Sequence, residues 1–125
     1  MRTVKLDLFP SLRVVFCYSE EEFLRKIKGV SKKEHDDMVE AWKEQHPQGQ
    51  VLKISTQRTF WIFCYVPVLQ IQEQGLEHWT DTVVHECVHI MAYIFDHYGL
   101  EISAENDEAM AYTVAYLVTQ CTRGQ

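Results

Sequence analysis

Apolar residues follow a strand-like spacing in four segments before residue 67, where β-branched and aromatic residues are frequent. Residues 4–8 and 12–18 flank a turn predicted at Phe9-Pro10-Ser11, residues 51–55 alternate between apolar and polar, and residues 59–66 are almost continuously apolar. Alternation predicts a strand with one buried face, and a short apolar run predicts a strand buried on both faces. We therefore expect a small mixed or antiparallel sheet, with Gln57-Arg58 as a candidate hairpin turn.

A helical spacing of apolar residues marks four other segments. Ser19 is followed three residues later by Glu22, and Ser31 by Glu34, which is the capping-box pattern of a helix N-terminus. Apolar residues recur every three or four positions after each pair, and again in two long segments near the C-terminus. The predicted helices span residues 19–29, 32–46, 80–99 and 103–124. Strands and short helices followed by two long helices predict an α+β fold.

Length, composition and charge narrow the classes of function. The chain of 125 residues has 46% hydrophobic residues, no repeat and no linker, which indicates one domain over residues 1–125. Its formal net charge of −6 argues against nucleic acid and anionic membranes as partners. The longest apolar run has ten residues, whereas a membrane span needs about 20. We expect a peptide, protein or small-molecule partner.

The cysteines and the N-terminal segment predict a cytoplasmic protein. The four cysteines lie far apart and form no CxxC pair, at Cys17, Cys64, Cys87 and Cys121. This pattern is expected of reduced, mostly buried thiols rather than of a zinc knuckle or a disulfide framework. Charged residues and a proline interrupt the apolar N-terminal segment and no small-residue cleavage site follows it, so we do not expect secretion.

The sequence His85-Glu86-Cys87-Val88-His89 carries the chemistry that we predict for this chain. His85 and His89 are four residues apart in a predicted helix, so both imidazoles rise from one face and can converge on a zinc ion. Glu86 lies about 100° around the helix from His85. Its carboxylate is therefore placed to hold a zinc-bound water and to accept its proton. Cys87 points about 200° away from His85 and is expected to be a buried core thiol.

A catalytic zinc site needs three protein ligands and one open position, so a third ligand must come from another segment. His97 is the only histidine after the motif, but it lies more than two turns further along the same helix, too far to join the pair. The acidic candidates are Asp96, Glu101, Glu105, Asp107 and Glu108.

The segment Asn106-Asp107-Glu108-Ala109 resembles the downstream motif of the aminopeptidase N-like gluzincins, a family of zinc metallopeptidases. Eighteen residues separate His89 from Glu108, and this HExxH-x18-E spacing is similar to theirs. The likeness covers residues 80–116 and includes no exopeptidase recognition segment of the type Gly-x-Met-Glu-Asn. The size of the chain resembles minimal zincin domains and small phage-encoded proteins of the metallopeptidase type.

The resemblance implies a zincin-like minimal domain, in which an active-site helix is followed by a helix that carries a metal ligand. It implies that Zn²⁺ binds His85, His89 and Glu108, and that Glu86 is the general base for hydrolysis of a peptide bond. Glu105 is the alternative third ligand. The family stabilises the transition state with a tyrosine or a histidine, for which the candidates here are Tyr112, Tyr93, Tyr98 and His97.

Several assignments within this resemblance have alternatives. Tyr112 lies one turn after Glu108 and is our choice for the catalytic tyrosine, and Asp81, one turn before His85, is a candidate to orient that histidine. Residues 59–66 are either the edge strand on which a zincin lays its substrate or a central strand. The alternative function is that of a catalytically inactive zincin-like protein, which binds zinc and engages a regulatory or viral partner.

Overall fold

The computed structural model describes residues 1–45 and 47–123, without the side chain of Gln45. These residues form a four-stranded mixed sheet and five α-helices, so the α+β prediction is confirmed. The strands are β1 (Arg2–Leu6), β2 (Phe9–Cys17), β3 (Gln50–Ser55) and β4 (Phe60–Tyr65). The helices are α1 (Glu20–Val30), α2 (Lys32–Gln45), α3 (Leu69–Gln74), α4 (Leu76–His97) and α5 (Asp107–Arg123), the last preceded by a 3₁₀ turn at Ala104–Asn106.

Two antiparallel hairpins joined by one parallel pairing make up the sheet. The strand order is β1-β2-β4-β3, with β1 antiparallel to β2, β2 parallel to β4 and β3 antiparallel to β4. At the centre Val14 of β2 pairs with Ile62 of β4, and both are fully buried. The apolar strand predicted over 59–66 is therefore central, and the edges of the sheet are β1 and β3.

Each face of the sheet is covered by helices. On one face, Phe23 and Ile27 of α1 and Trp42 of α2 pack against residues such as Phe63. On the other face, α4 and α5 cover a larger cluster that includes Ile90 of α4. In this second layer α4 contacts β3 and β4, whereas α5 contacts β1. The two long helices therefore lie side by side under opposite halves of the sheet.

The predicted helix caps are confirmed at the first two helices. The Ser19 hydroxyl accepts a hydrogen bond from the Glu22 backbone N–H at 3.2 Å, and the Ser31 hydroxyl accepts one from the Glu34 N–H at 3.3 Å. The Glu22 carboxylate accepts from the backbone N–H of Tyr18 at 3.0 Å, one residue earlier than a capping box predicts. Local side-chain chemistry is thus enough to start these helices where the sequence indicates.

Several predicted boundaries are wrong. The first turn lies at Asp7 and Leu8, because residues 9 and 10 already belong to β2. Helix α3 was not predicted, and α4 begins at Leu76 instead of residue 80. Gly75, with a φ of 98°, separates α3 from α4, a conformation that glycine adopts without steric cost. The predicted helix ends at residues 46 and 124 lie outside the described residues.

The burial of the cysteines agrees with the sequence analysis. All four thiols are free and buried, and burial raises the pKa of each of them, for example to about 12 at Cys17 and Cys121. None of the helices within 1–45 and 47–123 is both long enough and apolar enough to cross a membrane.

Candidate functional site

The two histidines of the motif lie together on an exposed flank of α4. Their Nε2 atoms are 3.2 Å apart, and the planes of the two rings make an angle of 72°. Two nitrogen ligands at about 2.0–2.1 Å from a tetrahedral zinc ion are about 3.3–3.4 Å apart. His85 and His89 therefore fit two adjacent positions of a zinc shell almost without movement. Without a metal, the same separation allows one ring N–H to donate a hydrogen bond to the other ring.

Glu86 lies next to this pair but points toward the protein interior. Its side chain is 8% exposed and faces Gly49, where a Cβ atom would lie only 3.0 Å from Glu86 Oε1. Burial raises the pKa of the Glu86 carboxyl group, and the charges of His85 and His89 oppose this effect. Among the described residues, no side chain or backbone group donates a hydrogen bond to the carboxylate. Glu86 is thus a poorly solvated base beside two potential metal ligands.

An open cleft of about 370 Å³ leads to Glu86. Its walls come from the loop before β3 and from one flank of α4, namely Gln48, Gly49, His78, Asp81, Thr82, His85 and Glu86. Gln70 of α3, only 3% exposed, holds these walls together. Its amide nitrogen donates to the Gln48 carbonyl oxygen at 2.6 Å, and its amide oxygen accepts from the Thr82 hydroxyl at 3.0 Å. We call this site the histidine cleft.

Sequence reasoning missed Gln70 because a single glutamine in an unpredicted helix carries no motif. Its two partners are twelve and twenty-two residues away, so only the folded chain brings them together. A buried polar side chain is expected to be hydrogen-bonded, and Gln70 meets this requirement by fixing the loop that covers Glu86. Gln70 is therefore a positioning residue of the histidine cleft.

Glu108 lies at the start of α5, and the packing of α5 on α4 does not bring it into a metal-binding group with the histidine pair among the described residues. Helix α5 packs against the flank of α4 that carries Cys87, about 200° around the helix from His85. The other end of α5 is tied to the far half of the sheet, where the Tyr18 hydroxyl donates to the Cys121 carbonyl oxygen at 2.6 Å. Glu108 itself is exposed in the first turn of α5.

The alternative acidic ligands do not replace Glu108 in the described part of the chain. Within the part of the chain that the structure describes, no group of three His, Cys, Asp or Glu side chains is placed to hold one metal ion. Glu105 is exposed in the 3₁₀ turn before α5. Asp81 lines the histidine cleft with His85, but no hydrogen bond joins the two side chains among the described residues. The described site therefore consists of two imidazoles and one adjacent carboxylate.

The four candidates for transition-state stabilisation are dispersed. Tyr112 is 73% exposed and lines a groove at the turn between β1 and β2, away from Glu86. His97 stacks on Phe60 with a centroid distance of 3.8 Å, and Tyr98 stacks on the neighbouring Phe9. Tyr93, one turn beyond His89, lies under the Lys53 ammonium group, 4.8 Å from its ring centroid. Of the four, Tyr93 is the one that shares the β3-facing flank of α4 with the histidine cleft.

The fold and the site together define an α+β protein with an exposed histidine pair and a buried glutamate on its longest helix. Comparisons of the chain with protein-family models, curated proteins and solved structures find no match. The resemblance to gluzincins is therefore wrong, since neither a related protein nor a three-ligand group among the described residues supports it. A spacing of eighteen residues places Glu108 in the next long helix, but it does not determine which flank of α4 that helix covers.

Proposed function

We propose that this protein is a zinc-dependent hydrolase that cleaves peptide bonds in the histidine cleft. The observation that carries the proposal is the 3.2 Å separation of the His85 and His89 Nε2 atoms beside the buried carboxylate of Glu86. The pair would supply two of the metal's ligands. Among the described residues no third His, Cys, Asp or Glu side chain is placed beside them, so water and substrate would have to fill the remaining coordination positions. Zinc bound there would polarise a substrate carbonyl and make a bound water more acidic.

Glu86 is the proposed general base. Its carboxylate would accept a proton from the attacking water and return it to the leaving amine. The cleft favours this role because Gly49 packs against the carboxylate and keeps water from one side of it. A poorly solvated carboxylate binds a proton more readily than one in bulk water. The histidines lie on the outer side of Glu86, so substrate and base would meet at the mouth of the cleft.

An extended peptide is the substrate class that the surrounding sheet favours. Strand β3 is an edge of the sheet and begins at Gln50, immediately after the Gly49 that touches Glu86. Further along, Lys53 of β3 reaches Tyr93 of α4, so the strand and the helix run in the same direction. A peptide that pairs with the free edge of β3 would be bound by main-chain hydrogen bonds beside the histidine pair.

The test is cleavage of a peptide library by zinc-loaded protein and by Glu86→Gln. The variant should bind zinc with the wild-type stoichiometry and cleave at least about 100-fold more slowly, because it lacks the base. Glu77→Gln removes an exposed carboxylate of the same helix and is the matched control. Wild-type cleavage by Glu86→Gln would refute the hydrolase mechanism. A biological activity that needs His85 but not Glu86 would favour a zinc-dependent binding protein instead.

We also propose that the protein functions in a reducing compartment such as the cytoplasm. Its four buried thiols are unpaired, and oxidation to a disulfide would require buried side chains to move. Alkylation of protein denatured directly from cells should label all four cysteines. Labelling of only two would contradict this location.

A further inference from the structure

Two adjoining cavities, of about 350 and 330 Å³, lie beyond the Gln48 loop, between the start of α1 and helix α3. Both are lined by Glu20, Tyr65, Pro67 and Leu69. The first cavity also includes Trp42, Pro47, Gln48, Gln70 and Glu73, and the second includes Tyr18, Ser19, Val68 and Gln72. We call the two cavities together the aromatic cleft. None of the catalytic roles proposed for His85, His89 and Glu86 involves the aromatic cleft.

Tyr65 supplies a polar atom that lacks a partner in the aromatic cleft. Its side chain is 8% exposed, and its ring packs against Trp42 and Phe23 at centroid distances of 4.9 and 5.7 Å. Over residues 1–45 and 47–123, no hydrogen bond is found for its hydroxyl group. The hydroxyl oxygen itself is not fully buried, because the fully buried side-chain atoms without a partner in the described residues are Arg2 Nε and Ser103 Oγ. The hydroxyl is therefore available to a ligand that enters the cleft.

Two carboxylates give the aromatic cleft a negative charge. Glu20 opens α1 and Glu73 lies on α3, and both line the same cavity as Tyr65. Burial first, and then the charges of Glu20 and Glu73, raise the pKa of the Tyr65 hydroxyl group. No lysine or arginine is among the described lining residues, and neither carboxylate forms a salt bridge within the described part of the chain.

Aromatic faces and carboxylates are the partners that an organic cation prefers. Trp42 and Tyr65 are only 4% and 8% exposed, so they present a small part of their rings to the cleft. Glu20 and Glu73 offer the main contacts, as charge-assisted hydrogen bonds. An anionic ligand would be repelled by the two carboxylates. We infer that the aromatic cleft binds a guanidinium or ammonium group. We assign this group to an arginine or lysine side chain of the peptide substrate, and this assignment rests on the proposed function.

The aromatic cleft adjoins the histidine cleft, so a side chain bound in the first would affect which peptide bond reaches the second. Gln48 lines both the aromatic cleft and the histidine cleft, and Gln70 hydrogen-bonds to it from α3. A basic side chain held near Tyr65 would bring the adjoining peptide backbone to the Gln48–Gly49 loop, beside Glu86. The site would therefore select peptides with a basic residue close to the cleaved bond.

Binding is tested with N-acetyl-arginine amide and its citrulline analogue, in which a neutral ureido group replaces the guanidinium. The full chain is used without added zinc, and binding is followed by tryptophan fluorescence and by NMR of the Tyr65 ring. The arginine probe should saturate the protein and bind at least about tenfold more tightly than the citrulline probe. Equal affinity for the two probes would overturn the inference.

Variants identify the groups that recognise the probe. Glu20→Gln with Glu73→Gln should weaken binding of the arginine probe about tenfold, and Tyr65→Phe about threefold. The matched control is Glu21→Gln with Glu77→Gln, which makes the same change in net charge at two exposed carboxylates outside the cleft. An equal loss in the control would show nonspecific attraction and refute the site.

The same variants separate this inference from the proposed hydrolase function. If the arginine probe binds but zinc does not, the hydrolase proposal fails and the cation site stands. If zinc binds and peptides are cleaved without preference for basic residues, the substrate assignment fails and the hydrolase proposal stands. In the zinc-loaded protein, the Glu20→Gln and Glu73→Gln pair should lower cleavage beside basic residues about tenfold without changing zinc content.

Discussion

Zinc should raise the thermal stability of this protein through the histidine pair alone. The Nε2 atoms of His85 and His89 are 3.2 Å apart, so they need to move by only about 0.1–0.2 Å to reach tetrahedral ligand positions. Helix α4 holds the two rings one turn apart, an arrangement that the unfolded chain lacks. Zinc bound to this pair stabilises the folded chain to the extent that it exceeds zinc binding to the four thiols that unfolding exposes.

The size of the effect follows from the linkage between binding and folding. At free zinc about 100 times its dissociation constant, the free energy of unfolding rises by at most about 2.7 kcal/mol, the value for an unfolded chain that binds no zinc. For a domain of this length, each kcal/mol raises the melting temperature by about 4 °C, so the expected shift is at most about 10 °C. Scanning calorimetry with zinc and with excess chelator measures it.

Three substitutions decide whether the site is the one described. His85→Ala and His89→Ala should each abolish the shift, because one imidazole alone is a weak zinc ligand. Glu108→Ala should leave the shift unchanged, since Glu108 forms no metal-binding group with the two histidines among the described residues. If Glu108→Ala removes the shift as completely as the histidine variants do, our account of the second helical layer is wrong.

Three further predictions concern the surroundings of the site. Gly49→Ala would place a Cβ atom 3.0 Å from Glu86 Oε1, so peptide cleavage should fall about tenfold as the base is displaced. The control is Gly29→Ala, whose added Cβ atom would meet no neighbouring side chain or loop within 4 Å among the described residues; it should leave the rate unchanged. Gln70→Leu removes the part-buried hydrogen bonds to Gln48 and Thr82 and should lower the unfolding free energy by about 2 kcal/mol in urea titrations; an unchanged midpoint would contradict its positioning role. Burial raises the pKa of the Cys17 thiol to about 12. The stability that the protonated thiol contributes is therefore fully present below about pH 8.5 and is lost as the pH rises toward 12. In urea titrations from neutral to alkaline pH, the unfolding free energy should fall less for Cys17→Ala than for the wild type.

The features that sequence predicted well are local. The serine caps at Ser19 and Ser31 connect residues three positions apart, and the histidine pair connects residues four positions apart in one helix. The geometry of a single helix fixes such distances before any tertiary contact forms. The apolar character of residues 60–65 likewise indicated a strand that could be covered on both faces, and β4 is the central strand paired on both sides.

The features that sequence missed depend on short or unpatterned segments. Helix α3 has only six residues and ends at Gly75, so its apolar spacing is too brief to recognise. Gln70 became informative only when its two hydrogen-bond partners were seen across the histidine cleft. The turn at Asp7 and Leu8 was misplaced because Pro10 is a frequent turn residue, yet here it lies in β2.

By itself the sequence determined an α+β protein with two imidazoles converging on one side of a helix and a carboxylate next to them. Only the tertiary structure decided that Glu108 forms no metal-binding group with the histidine pair among the described residues, and that Glu20, Trp42, Tyr65 and Glu73 line one cleft. The physical reason is that periodicity specifies positions within one element. The arrangement of elements depends on how all the apolar faces are buried together, and no single segment contains that information.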